Sequence, residues 1–275
     1  MNLKKLIFTN NACYKTNKTI TPRGIMVHST GSNNPWLRRY VGPDDGHLGR
    51  NNNNNHWNQK MDRNVCVHAF IGKLANGSIA TYQTLPWNHL AWHSGSGAKG
   101  SANNTHISFE ICEDNLTDRE YFLSVYKEAV ELCAMLCETY SIDPSKAANG
   151  MGIVDHREGR QSGLASNHGD VGHWFPRHGK SMDTFRADVT KQIKEKSDMA
   201  IMEEIRKIQG LQNTTDKEVA EILAYILKNK NVPTAPATKA EFDKAVSRGI
   251  SDGSSPGMPM ARWQGAIMTH RATSK

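Results

Sequence analysis

The segment from His106 to Tyr140 constrains the fold more than any other. His106 to Cys112, HISFEIC, alternates: Ile107, Phe109 and Ile111 face one way, Ser108 and Glu110 the other. That period of two belongs to a strand with one buried face. Thr117-Asp118-Arg119-Glu120 then has the spacing of a capping box. Phe122, Val125, Tyr126, Ala129, Val130, Leu132, Cys133, Leu136, Cys137 and Tyr140 follow on one broad helical face, and Ile142-Asp143-Pro144 ends the helix. A strand and a helix that are each apolar on one side bury those sides together, so a sheet covered by a helix is expected. Further strands are expected at Ile25 to Val27, Val65 to Ile71 and Ile79 to Leu85, the last two joined by the hairpin signal Asn76-Gly77. Met182, Phe185, Val189 and Ile193 mark a second one-faced helix. The expected class is α/β, a mixed central β-sheet flanked by helices, followed by a small helical C-terminal domain.

The chemistry is concentrated between Asp155 and Phe175, DHREGRQSGLASNHGDVGHWF. Three histidines (His156, His168, His173) and the acids Glu158 and Asp170 fall there among glycines and small residues. The apolar residues keep neither a helical nor a strand period, so a long ordered loop is expected, and such loops carry function. A catalytic zinc site needs three protein ligands and one open position. His28, in His28-Ser29-Thr30-Gly31, closes the strand 25–27, and His156 and Asp170 lie at either end of the later loop. Glu110 alternates away from the core side of its strand and can aim into the same cleft. His168 and His173 are the other choices for a third ligand.

Strand-His28-Ser29-Thr30, then Ala91-Trp92-His93-Ser94-Gly95, then HISFEICED, a long helix and a terminal histidine loop together resemble the type-2 N-acetylmuramoyl-L-alanine amidases. That family includes phage endolysins and the peptidoglycan recognition proteins, and the resemblance covers roughly residues 20–190. It implies the zinc ligands His28, His156 and Asp170, with Glu110 as the catalytic carboxylate and His168 as its partner in stabilising the transition state. The chain departs from the family pattern in lacking a Cys-Pro at the third ligand, Asp170 being followed by Val171. The implied reaction is Zn2+-dependent hydrolysis of the amide between N-acetylmuramic acid and L-alanine in bacterial peptidoglycan. His93, Trp92 and Asn33 are the expected substrate contacts, and His68 either lines the cleft or satisfies backbone groups. Two rival functions share these residues: a peptidoglycan-binding protein without catalysis on the same fold, and a zinc peptidase cutting the stem peptide. Keeping His28, His156, Asp170 and Glu110 together speaks against the first.

Composition narrows the partners. The net charge of +7 suits an anionic polymer, but it is dispersed: residues 201–275 hold 11 basic and 8 acidic side chains. No basic stripe interleaved with aromatics supports nucleic-acid binding, and no apolar run reaches the roughly 20 residues that span a bilayer. Residues 1–14 carry only Leu6-Ile7-Phe8 as an apolar run, so synthesis in a host cytoplasm without a signal peptide is expected, with action on the wall after release, as for a phage endolysin. The five cysteines form no CxxC pair and are expected to be buried, reduced thiols.

The expected organisation is an amidase domain over residues 1–196, a helical linker region over 197–237 and a wall-binding segment over 238–275. The linker region holds Thr215-x-x-Glu218 before an apolar helix face and ends in the stiff Val232-Pro233-Thr234-Ala235-Pro236-Ala237. In the last segment AVSRGISDGSSPG resembles one S-layer-homology motif. Removing residues 201–275 is therefore expected to weaken pull-down on intact cell walls while sparing cleavage of a soluble wall fragment; unchanged pull-down would remove the targeting role.

Overall fold

The alternation read in residues 106–111 builds the centre of a six-stranded sheet. The structure is a computed structural model that describes residues 1–60, 64–146 and 149–207, with the backbone alone from 201 to 207. Its strands are β1 (Leu3–Lys5), β2 (Gly24–Ser29), β3 (Ala69–Lys73), β4 (Ile79–Gln83), β5 (His106–Ile111) and β6 (Gly152–Asp155), in the order β1-β4-β3-β5-β2-β6. Only β3 and β4 pair antiparallel, as the Asn76-Gly77 hairpin requires; the other neighbours are parallel. The sheet is thus mixed, as expected.

Alternation sorts the two faces. Ile25, Val27, Ile107, Phe109 and Ile111 are fully buried in one core with the inner side of helix α2 (Arg119–Tyr140) and with Phe185 and Val189 of helix α4 (Met182–Lys207). Burying a side chain such as Phe122 there contributes roughly 2–3 kcal/mol. The opposite face carries Phe70, Ala80 and Tyr82 in a second core closed by Phe8, Leu37, Tyr40 and Leu85. His28 and Glu110 belong to this second face by parity, paired in register at the ends of β2 and β5. The parallel strands therefore deliver functional side chains at their carboxyl ends, the usual ligand end of open α/β sheets.

Several expectations are corrected. Asp118, not Thr117, caps α2: its carboxylate accepts the Tyr121 N–H at 3.0 Å, while the Thr117 hydroxyl turns back to Asn115. The helix stops at Tyr140 because Ser141 turns left-handed, at φ 54°. The Asp155–Phe175 stretch is not a loop throughout. It opens with helix α3 (His156–Gln161), started by a full capping box in which Asp155 and Glu158 bond each other's backbone N–H groups. Two single turns of 3-10 helix, Asp170–His173 and Phe175–His178, follow. Strands β1 and β6 and the short helix α1 (Ala12–Lys15) were not foreseen: three or four residues are too few to show a period. Strand β6 also begins on Gly152 at φ +84°, where a Cβ would fall 1.8 Å from the Ser145 carbonyl oxygen.

All five cysteines are buried and free, as expected. No described helix is long and apolar enough to cross a membrane. Met1–Glu195 forms one compact unit, and α4 runs on to Lys207. Of the expected linker region only its start, through Lys207, is described; the S-layer-homology-like segment 238–275 lies outside the described residues.

Beneath α3 is a buried ion pair. Arg186 of α4 grips Glu158 with both guanidinium arms, at 2.9 and 3.2 Å, and donates to the Ile153 carbonyl at 3.0 Å. Both side chains are under a tenth exposed. Arg186→Met should cost about 2–3 kcal/mol by leaving the buried Glu158 charge with the more exposed Lys146 as its cationic partner, read as a fall in unfolding free energy in urea titration; a loss under about 1 kcal/mol would show the pair to be dispensable.

Candidate active site

Three elements converge at the carboxyl end of β2. His28 is its penultimate residue, on a strand buried along its whole length between β5 and β6. His156 is the first residue of α3, directly after β6, so the Asp155 cap fixes where its ring begins. Asp170 opens the first 3-10 turn with φ 37°, a left-handed conformation that Asp tolerates better than most residues. Its Oδ2 lies 2.9 Å from His28 Nδ1 and 3.0 Å from His156 Nδ1, and the two Nδ1 atoms are 3.4 Å apart. Tetrahedral bonds of 2.0–2.1 Å put ligand atoms about 3.3 Å apart. Two imidazole nitrogens and one carboxylate oxygen at this spacing fit a divalent metal and leave a fourth position open. Among the described residues this is the one such cluster of histidine, cysteine and acid side chains.

The electrostatics agree. Burial would raise the Asp170 carboxyl, but the His28 and His156 imidazoles outweigh it and hold the group well below the carboxylate range. Glu110 goes the other way: burial, then the charges of Asp170 and Glu113, push it well above its usual value. Its Oε2 is buried without a hydrogen-bond partner. An unpaired buried carboxyl oxygen with a strongly shifted titration, next to a metal-type cluster, marks Glu110 as a candidate functional group. His93 stacks edge-on to His28, with its Nδ1 3.0 Å from His28 Nε2; burial and the neighbouring imidazoles keep it neutral.

Other residues read from the sequence fall into place around this centre. His168 is exposed, its ring 4.6 Å from that of His156. His173 turns away to pair with buried Glu113 at 2.9 Å, whereas Asp170 touches both histidines. Trp92 is half-buried against the second core. Asn33 is exposed in the loop leaving β2. His68 is not in the cleft: it is fully buried, bonded to Ser108 and the His89 carbonyl, and burial lowers it to about 4.

Two residues near the site were missed. Glu113 joins the Gly31 N–H to His173, tying the loop after β2 to the Asp170 turn. Ser166 touches both His156 and His168. The Glu113 carboxylate stands in the quoted HISFEICED motif; Ser166 gives no sequence signal.

The family model for N-acetylmuramoyl-L-alanine amidase matches residues 18–173, more than half the chain and every element of the site just described. The chain belongs to the N-acetylmuramoyl-L-alanine amidase family. Solved structures similar to this amidase include the catalytic domain of XlyA, at 21% identity over 69% of this chain and 99% of that one, TM-score 0.45. PlyL is 20% identical over 69% of this chain and 96% of its own, TM-score 0.46. The Staphylococcus aureus hydrolase AmiA, in complex with its ligand, is 19% identical over 71% and 84%, TM-score 0.47. No curated protein matches the chain.

Because Asn also tolerates a left-handed backbone, Asp170→Asn in the amidase should keep the fold and its melting temperature. It should weaken divalent-metal binding by more than about 100-fold, measured by chelator competition; unchanged affinity would remove Asp170 from the cluster.

Proposed function

We propose that His28, His156 and Asp170 hold a zinc ion and that the amidase uses it to cut the bond between the lactyl group of N-acetylmuramic acid and L-alanine in bacterial peptidoglycan. The observation that carries this is the approach of two imidazole nitrogens and one carboxylate oxygen to within 3.4 Å of one another, next to a buried carboxyl with an unpaired oxygen. Bound there, zinc would polarise the scissile carbonyl and lower the pKa of an attacking water toward about 7.

Glu110 takes the proton from that water as its oxygen bonds to the carbonyl carbon, then returns it to the amine nitrogen as the C–N bond breaks. Its position in register with His28 puts it beside the reacting centre. Glu110, pushed up by burial and two nearby carboxylates, would be returned toward its ionised form by a cation held at His28, His156 and Asp170. His168, exposed next to His156, donates a hydrogen bond to the oxyanion of the tetrahedral intermediate. His93 backs His28 from the far side. Trp92, half-buried beside it, and Asn33, on the exposed loop after β2, are the side chains assigned to the glycan and stem peptide. The products are a free lactyl carboxylate and a peptide with N-terminal alanine.

The biological role that fits is an endolysin, made in a host cytoplasm and acting on the wall after release, with residues 238–275 as the wall-targeting segment. Glu110→Gln should keep stoichiometric zinc and lose at least about 100-fold in lysis of purified walls. A variant that loses zinc would make Glu110 a ligand instead. Mass spectrometry of the wild-type digest should find new N-terminal alanine; new termini inside the stem peptide would mean a peptidase. Chelation should abolish the activity and added zinc restore it.

A further inference from the structure

Ser166 has no part in the reaction as described, yet it stands between the two histidines that do. Its hydroxyl oxygen lies 3.3 Å from His156 Nε2, 3.2 Å from His168 Nδ1 and 3.1 Å from the Ser94 carbonyl oxygen. A hydroxyl has one proton to donate and two lone pairs to accept with. The Ser94 carbonyl can only accept, so it takes the proton. Both imidazoles must then donate to Ser166, His156 through Nε2–H and His168 through Nδ1–H. With a cation in the cluster, this leaves the lone pair on His156 Nδ1, the nitrogen that meets Asp170 at 3.0 Å, free to face the ion. For His168 it leaves Nε2 for the substrate, whether or not the ring is charged.

The opposite tautomer of His156 would put a proton on Nδ1, where a metal could not bind, and would face Ser166 with a lone pair while the one hydroxyl proton is committed. The backbone that carries the hydroxyl is tied to the neighbouring loop. Ser166 N–H also bonds the Ser94 carbonyl, at 2.9 Å; Lys99 N–H reaches the Gly163 carbonyl and Ala102 N–H the Leu164 carbonyl, both at 2.8 Å. The two loops lie so close that a Cβ on Gly97 would fall 2.4 Å from the Gly163 backbone. The Ala91–Gly95 motif thus reaches both metal-side histidines, His28 through His93 and His156 through Ser94 and Ser166.

We propose that Ser166 is a positioning residue: its hydroxyl selects the His156 tautomer able to hold the metal and orients His168 toward the substrate. This rests on the zinc reading above.

Ser166→Ala removes only the hydroxyl and keeps the backbone bond to Ser94. Zinc affinity, by chelator competition on the full chain, should fall about tenfold or more. On a soluble muropeptide kcat should fall with KM nearly unchanged. Ser166→Thr, which restores a hydroxyl, should recover most of both losses. An Ala variant that binds zinc as tightly as wild type, or a Thr variant no better than Ala, would overturn the assignment. The wild-type titration in the same series separates the two readings: zinc uptake by wild type with no difference among variants sinks only the role of Ser166, and a wild type that takes up no zinc ends both.

Discussion

The site depends on one buried carboxylate, Glu158. It accepts the Asp155 backbone N–H, receives both arms of Arg186 from α4, and is reached by Lys146 at 3.2 Å. Strand β6, helix α3 and helix α4 are therefore joined through a single side chain. A carboxylate this enclosed is tolerated only when its lone pairs are filled, and here the groups that fill them are also the groups that set where α3 begins. Since α3 begins with His156, the packing of a distant helix is converted into the position of an imidazole nitrogen.

The electrostatic design around the centre is one of uncharged neighbours. His68 and His106 are each lowered to about 4 by burial, and His93 is held well below its usual value. These three rings supply hydrogen bonds without positive charge. A cation in the cluster would then face the carboxyl groups of Asp170 and Glu110 with no competing imidazolium among those three.

Much of this was legible in the chain. Strong alternation in HISFEIC and the broad apolar face after Arg119 reported the central strand and its helix, because both bury one side completely. His28 and Glu110 were legible for the same reason: a polar residue at the end of a buried strand, or on its off-core parity, has few structural reasons to be there. Asp170, His156 and His168 were visible as a density of ligand-type side chains, and the order of motifs assigned them. What stayed hidden was short or relational. Strands β1 and β6 are three and four residues long, too few to show a period even though Ile153 and Val154 of β6 are fully buried. The capping box of α3 was present as Asp155 and Glu158, but the glycines around it made the segment look like loop. Ser166 and Glu113 act through what they touch, and a serine between an alanine and an asparagine looks like any other.

The three metal-side residues are anchored unequally. His28 cannot shift without separating β2 from β5 and β6, and His156 is pinned by its cap. Asp170 rides on a short surface turn in a left-handed backbone, tied down through Glu113 and His173. The centre thus has two walls and a door. Of the three ligand-type atoms, the Asp170 oxygen is the one whose place is set by loop contacts alone, so the spacing of the cluster is most sensitive to that turn.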